Sequence, residues 1–153
     1  MYPEGVEHDK KNVMVLSDGT KAEWRGAANF QAYVDSHPEF FEFIKEKVKP
    51  HGIISTNGHV LKHAKHLEIF TIQRLFILDS ISIETGLSIA KTINPDAIEI
   101  LPGIAYKAVE LIKHKVSQPL ITGGLIYSHK DAVKALAAGV IGVSTTSRDL
   151  WDF

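Results

Sequence analysis

The sequence predicts an α/β fold in which parallel strands alternate with helices, and three observations lead to this prediction. Short apolar runs alternate with stretches of helical periodicity from about residue 12 to the end of the chain. Most of the strand runs are continuously apolar, as expected for parallel strands that helices cover. The strand–helix units recur about every 20 to 25 residues, a spacing typical of a (β/α) barrel. We therefore predict one (β/α) barrel-like domain over residues 1–153.

Six strands are predicted from β-branched and apolar runs that end at turn residues, glycine or proline. They lie near residues 12–16, 52–56, 70–78, 97–101, 119–122 and 140–143. The first strand stops at Ser17-Asp18-Gly19, and residues 20–37 show no clean period, which indicates a loop with one short helix. Pro38 stands where a first helical residue belongs, and a helix is predicted from there to Pro50.

Apolar residues at helical spacing predict a helix after each of the next four strands. These helices are centred on residues 60–67, 83–93, 108–116 and 132–137. Ser128 is the predicted N-cap of the last helix, and Gly139 is its predicted C-terminal cap. Six units are two short of a closed barrel, so an open flavodoxin-like sheet remains an alternative that periodicity does not separate.

The composition is that of one ordinary globular domain. The 153 residues include 17 Lys and Arg against 18 Asp and Glu, which gives a net charge of −1. This balance argues against a strongly basic nucleic-acid surface. The absence of cysteine excludes disulfides, cysteine-ligated metals and a cysteine nucleophile. Residues 1–11 are polar and are expected to be irregular or disordered. We see no signal peptide or membrane span, and we expect a cytoplasmic protein without membrane contacts.

Glycines and hydroxyl side chains follow the predicted strands at their C-terminal ends, where both folds bind ligands. Glycine lets backbone N–H groups approach an anion with no side chain in the way. The hydroxyls stand just before a turn at residues 147–151, whose N–H groups favour negative charge. The candidate phosphate-binding residues are Gly103, Gly123, Gly124, Ser144, Thr145 and Thr146. A tight turn followed by a helix cap, with no ligand, is an equally good interpretation of this spacing.

Gln73 and Arg74 interrupt an otherwise apolar strand, and strand alternation points them to opposite faces of the sheet. A strand-borne arginine is costly to bury without an anionic partner. Glu99, in the middle of the next strand, is a candidate for that partner or for a ligand group. Arg74 and Glu99 are therefore candidate ligand-binding residues, and a purely structural ion pair is the alternative.

The sequence gives no pattern that requires catalysis, a metal or a cofactor. His59, His63 and His66 form one helical stripe, but it lacks the carboxylate of a zinc motif, so we interpret it as a solvated flank. Phosphate-loop and dinucleotide motifs are missing, and no nucleophile has an adjacent base. We predict no catalytic residues, although an isomerase or aldolase acting on a small phosphorylated metabolite remains the alternative.

Five motifs occur in a fixed order, and together they resemble a known family. They are Gly52-Ile-Ile-Ser-Thr56, Ile72-Gln-Arg-Leu-Phe76 with Leu78-Asp-Ser80, Glu99-Ile-Leu-Pro-Gly103, Gly123-Gly-Leu-Ile126, and Ser144-Thr-Thr146 with Asp149-Leu-Trp151. This stretch, from about Pro50 to Trp151, is similar to the bacterial glycerol-3-phosphate-responsive antiterminators, the glycerol uptake operon antiterminators. The resemblance implies a TIM-barrel-like fold with parallel strands.

The same resemblance implies an incomplete barrel, because the family carries roughly two further strand–helix units before our first strand. Leu16 also precedes Asp18 at the end of that strand, where the family tends to show a histidine two residues before the aspartate.

The resemblance further implies a non-enzymatic regulator that senses glycerol 3-phosphate and acts on the leader mRNA of glycerol operons to prevent premature termination. Glycerol 3-phosphate and leader mRNA are thus the expected partners. We also expect a homo-oligomer, because an unclosed sheet leaves unpaired strand edges, with residues 12–16 as the exposed edge.

Overall fold

The computed structural model describes residues 13–15, 21–23 and 39–150 of the chain. A π-helical turn over Ile44–Val48 continues the first helix, and a 3-10 turn spans Arg148–Leu150. In chain order the elements are β1 (Val13–Val15), β2 (Lys21–Glu23), α1 (Glu39–Phe43), β3 (Gly52–Ser55), α2 (Gly58–His66), β4 (Phe70–Phe76), α3 (Ser80–Ile93), β5 (Ala97–Leu101), α4 (Tyr106–Ile112), β6 (Leu120–Gly123), α5 (His129–Ala138) and β7 (Gly142–Ser144).

Strands β3 to β7 form one sheet in which every neighbouring pair is parallel and the spatial order follows the chain. A helix connects each strand to the next, which is the repeating unit of a (β/α) barrel. The predicted α/β, TIM-barrel-like fold is therefore confirmed, as an incomplete barrel of five parallel strands. The strands predicted near residues 52–56, 70–78, 97–101, 119–122 and 140–143 are all present.

The first predicted strand is present, but the prediction that it belongs to the parallel sheet is wrong. β1 pairs antiparallel with β2, with Val13 opposite Glu23, and this hairpin is separate from the five-stranded sheet. Residues 21–23, predicted as loop, form β2. An apolar run predicts a strand but not its partner, because the partner is chosen by contacts outside the run. Among the described strands, β3 and β7 are the two edges of the five-stranded sheet. Residues 1–11, expected to be irregular, lie outside the described part.

The sheet has two faces with different neighbours. The face that carries Gln73 packs against the helices, and Gln73 Nε2 donates to Gly86 O of α3 at 3.0 Å. This helix face holds the main core, whose members include Leu75, Ile98, Ile100, Val109, Ile112, Leu120 and Ala135. The opposite, inner face carries Arg74 and Glu99, which lie side by side in β4 and β5. The two residues therefore occupy the face that would line the interior of a closed barrel.

The caps of α5 that the sequence predicts are present in the structure. Ser128 caps α5 through a reciprocal capping box with Asp131, and Gly139 ends the helix at φ +118°, as predicted. Asp79 makes the same kind of box with Ser82, so α3 begins at Ser80, three residues before its first predicted apolar position. In the described ranges, no helix has both the length and the apolar character needed to cross a membrane.

Asp96 connects β4 and α2 at the N-terminal end of the sheet, which is opposite to the edge where ligands are expected. Its carboxylate accepts hydrogen bonds from Thr71 N and Thr71 Oγ1, both at 2.8 Å, and forms an ion pair with Lys65 at 3.3 Å. Burial raises the pKa of Asp96, but the Thr71 hydrogen bonds and the Lys65 ammonium outweigh that effect and hold the pKa below its ordinary value.

This lowered pKa predicts a pH dependence of stability. The contribution of ionised Asp96 is present above the unfolded-state pKa of about 4 and is lost as the pH falls through the lower folded-state pKa. We expect the free energy of unfolding, measured in urea, to fall over this acidic range. Asp96→Asn is expected to be less stable at neutral pH and to show a shallower acid decline. An unchanged acid decline in Asp96→Asn would contradict this role.

Candidate functional site

The candidate residues meet at the C-terminal edge of the sheet, where β4 to β7 end next to one another. Gly123, the last residue of β6, lies opposite Ser144, the last residue of β7. Arg74 lies opposite Glu99, which in turn lies opposite Ile121 on β6. Because partners in a ladder share a face, all of these residues lie on the inner face. Arg74, Glu99 and Ile121 are at one level, and Gly123 and Ser144 lie two residues nearer the C-terminal ends of their strands.

Gly123 lies close to both neighbouring strands at this edge. A Cβ at position 123 would lie 3.0 Å from Glu99 Oε1 and 3.1 Å from Ser144 Cβ. Position 123 therefore holds the backbone of β6 close to both the buried carboxylate and the end of β7. A side chain at position 123 would crowd Glu99 Oε1 and the end of β7, so glycine suits this position.

Gly124 begins an exposed loop in a left-handed conformation, with φ +75°. Leu125 follows with φ +59°, a value that leucine rarely adopts. Neither of these two N–H groups donates a hydrogen bond to another group in the part of the chain that the structure describes. Two exposed N–H groups next to Ser144 can bind an anion. No sequence signal pointed to Leu125, since only its backbone conformation marks it.

The sequence predicts that Gly103 offers its N–H to a phosphate, but in the structure this N–H binds another loop. Its N–H donates to Gly124 O at 2.8 Å, so that donor joins the loop after β5 to the loop after β6. A Cβ at position 103 would lie 2.6 Å from Ile126 Cγ1. Gly103 therefore packs beneath the candidate anion site and leaves its N–H unavailable to a ligand.

Thr145 also serves as a connector between loops. Its Oγ1 donates to Ile126 O at 2.8 Å and accepts the N–H of Ser147 at 3.1 Å. The hydroxyl proton that the sequence analysis assigned to a phosphate is thus already used. Ser144 and Thr146 are exposed, and Ser144 lies opposite Gly123, so its hydroxyl can be a donor beside Gly124.

The N-terminus of α5, which follows the Gly-Gly pair by a few residues, carries a carboxylate of its own. Asp131 Oδ2 accepts hydrogen bonds from Ser128 N at 3.1 Å, Ser128 Oγ at 2.7 Å and Tyr127 N at 3.4 Å. The hydrogen bond from the Ser128 side chain is the largest cause that holds the pKa of Asp131 below its ordinary value. This negative carboxylate disfavours a second anion at the same helix end.

Arg74 and Glu99 form an ion pair in the middle of the inner face. Arg74 Nε donates to Glu99 Oε2 at 2.6 Å. Glu99 is 2% exposed, whereas the side chain of Arg74 is 36% exposed. Gln73 packs against α3 on the opposite face, so the two neighbours in β4 point in opposite directions, as the strand alternation predicts. The predicted pairing of Arg74 with Glu99 is present, and the second oxygen of Glu99 stays available.

The histidine stripe is divided between packing and solvent. His63 stacks on Phe41 with ring centroids 5.3 Å apart, while His59 and His66 are exposed. Among the described residues no group of three or more histidine or carboxylate side chains is placed to hold a metal ion.

The geometry defines a class of protein: an incomplete (β/α) barrel with a glycine-rich, anion-compatible edge beside a buried ion pair. The model of the glycerol-3-phosphate responsive antiterminator family matches residues 34–151. The chain belongs to this family, which is a family of regulators and not of enzymes. The family resemblance stated from the five motifs is thereby confirmed.

Three relatives illustrate the extent of the similarity. The uncharacterized protein YgcP of Escherichia coli is 44% identical over 110 residues, which are 72% of this chain and 58% of YgcP. The crystal structure of a glycerol uptake operon antiterminator regulatory protein from Listeria monocytogenes is 37% identical, with a TM-score of 0.70 over 73% of this chain and 60% of that one.

A glycerol uptake operon antiterminator-related protein from Thermotoga maritima is 33% identical, with a TM-score of 0.60 over 67% of this chain and 58% of that one. The chain therefore spans about three fifths of the length of each of these relatives.

Proposed function

We propose that this chain is a cytoplasmic regulator that responds to glycerol 3-phosphate and binds the leader mRNA of glycerol-metabolism operons, where it prevents transcription termination. Membership of the antiterminator family supports the regulatory role. The observation that carries the ligand assignment is the exposed backbone of Gly124 and Leu125 beside Ser144. It provides the N–H and hydroxyl donors that a small phosphate requires.

The phosphate would lie at the β6–β7 edge and the glycerol moiety would extend over the inner face. The N–H groups of Gly124 and Leu125, with the hydroxyls of Ser144 and Thr146, are the phosphate donors in this arrangement. Hydrogen bonds to a charged group are each worth about 1.5–3 kcal/mol, so two or three of them can hold a small dianion. Gly123, Arg74 and Glu99 would line the path of the glycerol, while Gly103 and Thr145 support the loops from below.

Direct binding measurements test this function. Fluorescence anisotropy of a labelled glycerol-operon leader RNA, titrated with the full chain, is expected to show binding that changes when glycerol 3-phosphate is added. Unphosphorylated glycerol, which lacks the anion, is the control and is expected to have no effect. An RNA affinity that is the same with and without glycerol 3-phosphate would overturn the proposal of a ligand-responsive regulator.

The charge of the chain predicts how RNA binding depends on salt. A protein of net charge −1 must use local Lys and Arg patches, such as the exposed Lys45 and Lys49, to contact phosphates. Each phosphate that is neutralised contributes about 0.7 to the salt slope for a single-stranded RNA. We therefore expect weak binding, or binding that weakens steeply between about 50 and 200 mM salt. Tight binding that hardly changes over this range would contradict the prediction.

The open sheet also predicts self-association. β3 pairs only with β4 among the described strands, and the inner face next to it exposes Ile54, Phe70 and Phe76, each close to half exposed. Unpaired edges and large apolar side chains favour a second copy of the chain. Sedimentation velocity at micromolar concentration is expected to show a dimer or larger species, and Ile54→Lys is expected to weaken it. A compact monomer for the unmodified chain would contradict this.

A further inference from the structure

Basic side chains in the loops lie at one end of the five-stranded sheet. The described loops that lead into β3, β4, β5 and β6 span residues 49–51, 67–69, 94–96 and 113–119, and they contain Lys49, His51, Lys113, His114 and Lys115. The described loops that follow β3 to β7 contain no lysine, arginine or histidine, and their one charged residue is Asp79. The basic end is therefore the N-terminal end of the sheet, opposite to the proposed effector site.

The carboxylates at this N-terminal end do not cancel its positive charge. The loops into β3 to β6 contain two of them, Glu68 and Asp96, and Asp96 forms an ion pair with Lys65 of α2 at 3.3 Å. The three lysines of these loops thus outnumber the one remaining carboxylate, although the whole chain has a net charge of −1. A locally positive surface attracts the phosphates of a nucleic acid.

Six basic residues at this end have exposed side chains that make no hydrogen bond or ion pair with other described residues. They come from four successive strand–helix units, since two of them lie in the last turns of α2 and α3 and the others in the loops before β3 and β6. We call them the lysine–histidine rim: Lys49, His51, His66, Lys91, His114 and Lys115. Lys65 and Lys113 are not part of the rim, because their ammonium groups already bind Asp96 and Ala138 O.

Hydrogen bonds between the loops hold the rim in one arrangement. Asn94, in the loop before β5, accepts a hydrogen bond from Lys65 Nζ at its backbone O and one from Gln118 Nε2 at Oδ1, the latter at 2.7 Å. Lys113 Nζ donates to Ala138 O of α5 at 2.9 Å. Neighbouring strands are about 4.8 Å apart, so the four units present the rim over about 15 Å. A surface fixed in this way loses little freedom when a partner binds.

The combination of lysine and histidine matches single-stranded RNA. A lysine ammonium group neutralises a phosphate, and an exposed imidazole ring can stack on an unpaired base. His51 lies two residues after Lys49, and His114 directly precedes Lys115, so a phosphate contact and a stacking surface lie close together on both loops. An acidic protein would use the lysines but would give the imidazole rings no comparable role.

We propose that the lysine–histidine rim is the surface that binds leader RNA, as a single strand whose phosphates contact the lysines and whose unpaired bases stack on the histidines. The inference rests on the proposed function, because it assumes that the chain binds leader RNA, and it adds where the RNA lies. β5 has five residues, which places the rim about 15 Å from the C-terminal edge. An effector bound at that edge therefore acts on the RNA through the sheet and not by direct contact.

Two charge-matched double variants test the position of the RNA. Lys49→Gln/Lys115→Gln removes two lysines of the rim. Lys107→Gln/Lys130→Gln removes two exposed lysines from the first turns of α4 and α5, at the opposite end. In fluorescence anisotropy with a labelled leader RNA, the rim variant is expected to lose at least about tenfold in affinity. Its salt slope is expected to fall by about 1.4, the loss of two phosphate contacts, and the control variant is expected to behave like the unmodified chain.

The outcomes separate this inference from the proposed function. Leader RNA that fails to bind the unmodified chain would overturn the proposed function. RNA that binds the unmodified chain and both folded variants equally, or that loses the same affinity in both, would overturn only the rim. Lys49→Arg/Lys115→Arg keeps both charges and is expected to keep the affinity, and circular dichroism shows that each variant is folded. Lysines that only stabilise the helix C-termini would change the free energy of unfolding and leave RNA affinity unchanged.

Nuclear magnetic resonance of the histidine rings tests the stacking role independently of any substitution. Addition of leader RNA to the full chain is expected to shift the ring signals of His51, His66 and His114. The rings of His59 and His129 lie in the first turns of α2 and α5 at the opposite end, and their signals are expected to stay in place. Unchanged signals of the three rim histidines in a chain that binds the RNA would overturn the inference.

Discussion

Replacing Arg74 with methionine is expected to lower the free energy of unfolding by about 3 kcal/mol, because it leaves a buried carboxylate without its cation. Glu99 is 2% exposed and receives its hydrogen bond from Arg74 Nε at 2.6 Å. The reverse change, Glu99→Met, is expected to cost less, since the side chain of Arg74 is 36% exposed and can turn to water. Urea unfolding at neutral pH, followed by circular dichroism, measures both losses.

The double variant Arg74→Met/Glu99→Met is the matched control for this stability prediction. It introduces the same methionine at position 74 but leaves no charge unpaired in the interior. We expect it to be more stable than Arg74→Met alone. If the double variant is no more stable than the single one, then lost packing around Arg74, and not the orphaned carboxylate, causes the destabilisation.

A side chain at position 124 is expected to reduce the affinity for glycerol 3-phosphate by at least about tenfold, the loss of one or more charge-assisted hydrogen bonds. Gly124→Asn is the most informative change, because asparagine tolerates the left-handed backbone at φ +75°. A Cβ there would lie 3.5 Å from Leu101 Cδ2, an ordinary contact, so the fold has room for it. Gly124→Val should block the anion equally, but with added backbone strain.

Gly142→Ala is the control for position 124. Gly142 begins β7, and a Cβ there would lie 3.6 Å from Ile121 Cγ2 with no positive φ involved. Calorimetric titration of glycerol 3-phosphate is expected to give the wild-type affinity for Gly142→Ala and a much lower one for Gly124→Asn. Wild-type affinity in a folded Gly124→Asn variant would move the phosphate away from this loop.

The sequence by itself determined the features that depend on residues close together in the chain. The parallel strands follow from continuous apolar runs, and the ends of α5 follow from Ser128 and Gly139, whose capping interactions reach no more than a few residues. Strand alternation was also sufficient to place Gln73 and Arg74 on opposite faces, since it is a property of every strand. The five ordered motifs identified the family without any knowledge of their contacts.

Only the tertiary structure decided how the loops at the C-terminal edge use their polar groups. The N–H of Gly103 donates to Gly124 O, and the hydroxyl of Thr145 donates to Ile126 O. Two of the donors that the sequence offered to a ligand therefore bind other loops instead. These bonds join segments about twenty residues apart, and no local period encodes which loop carbonyl lies opposite which donor. β1 is a further example. Its apolar run fits a parallel strand, but in the structure it pairs antiparallel with residues 21–23, and the run itself does not encode that partner.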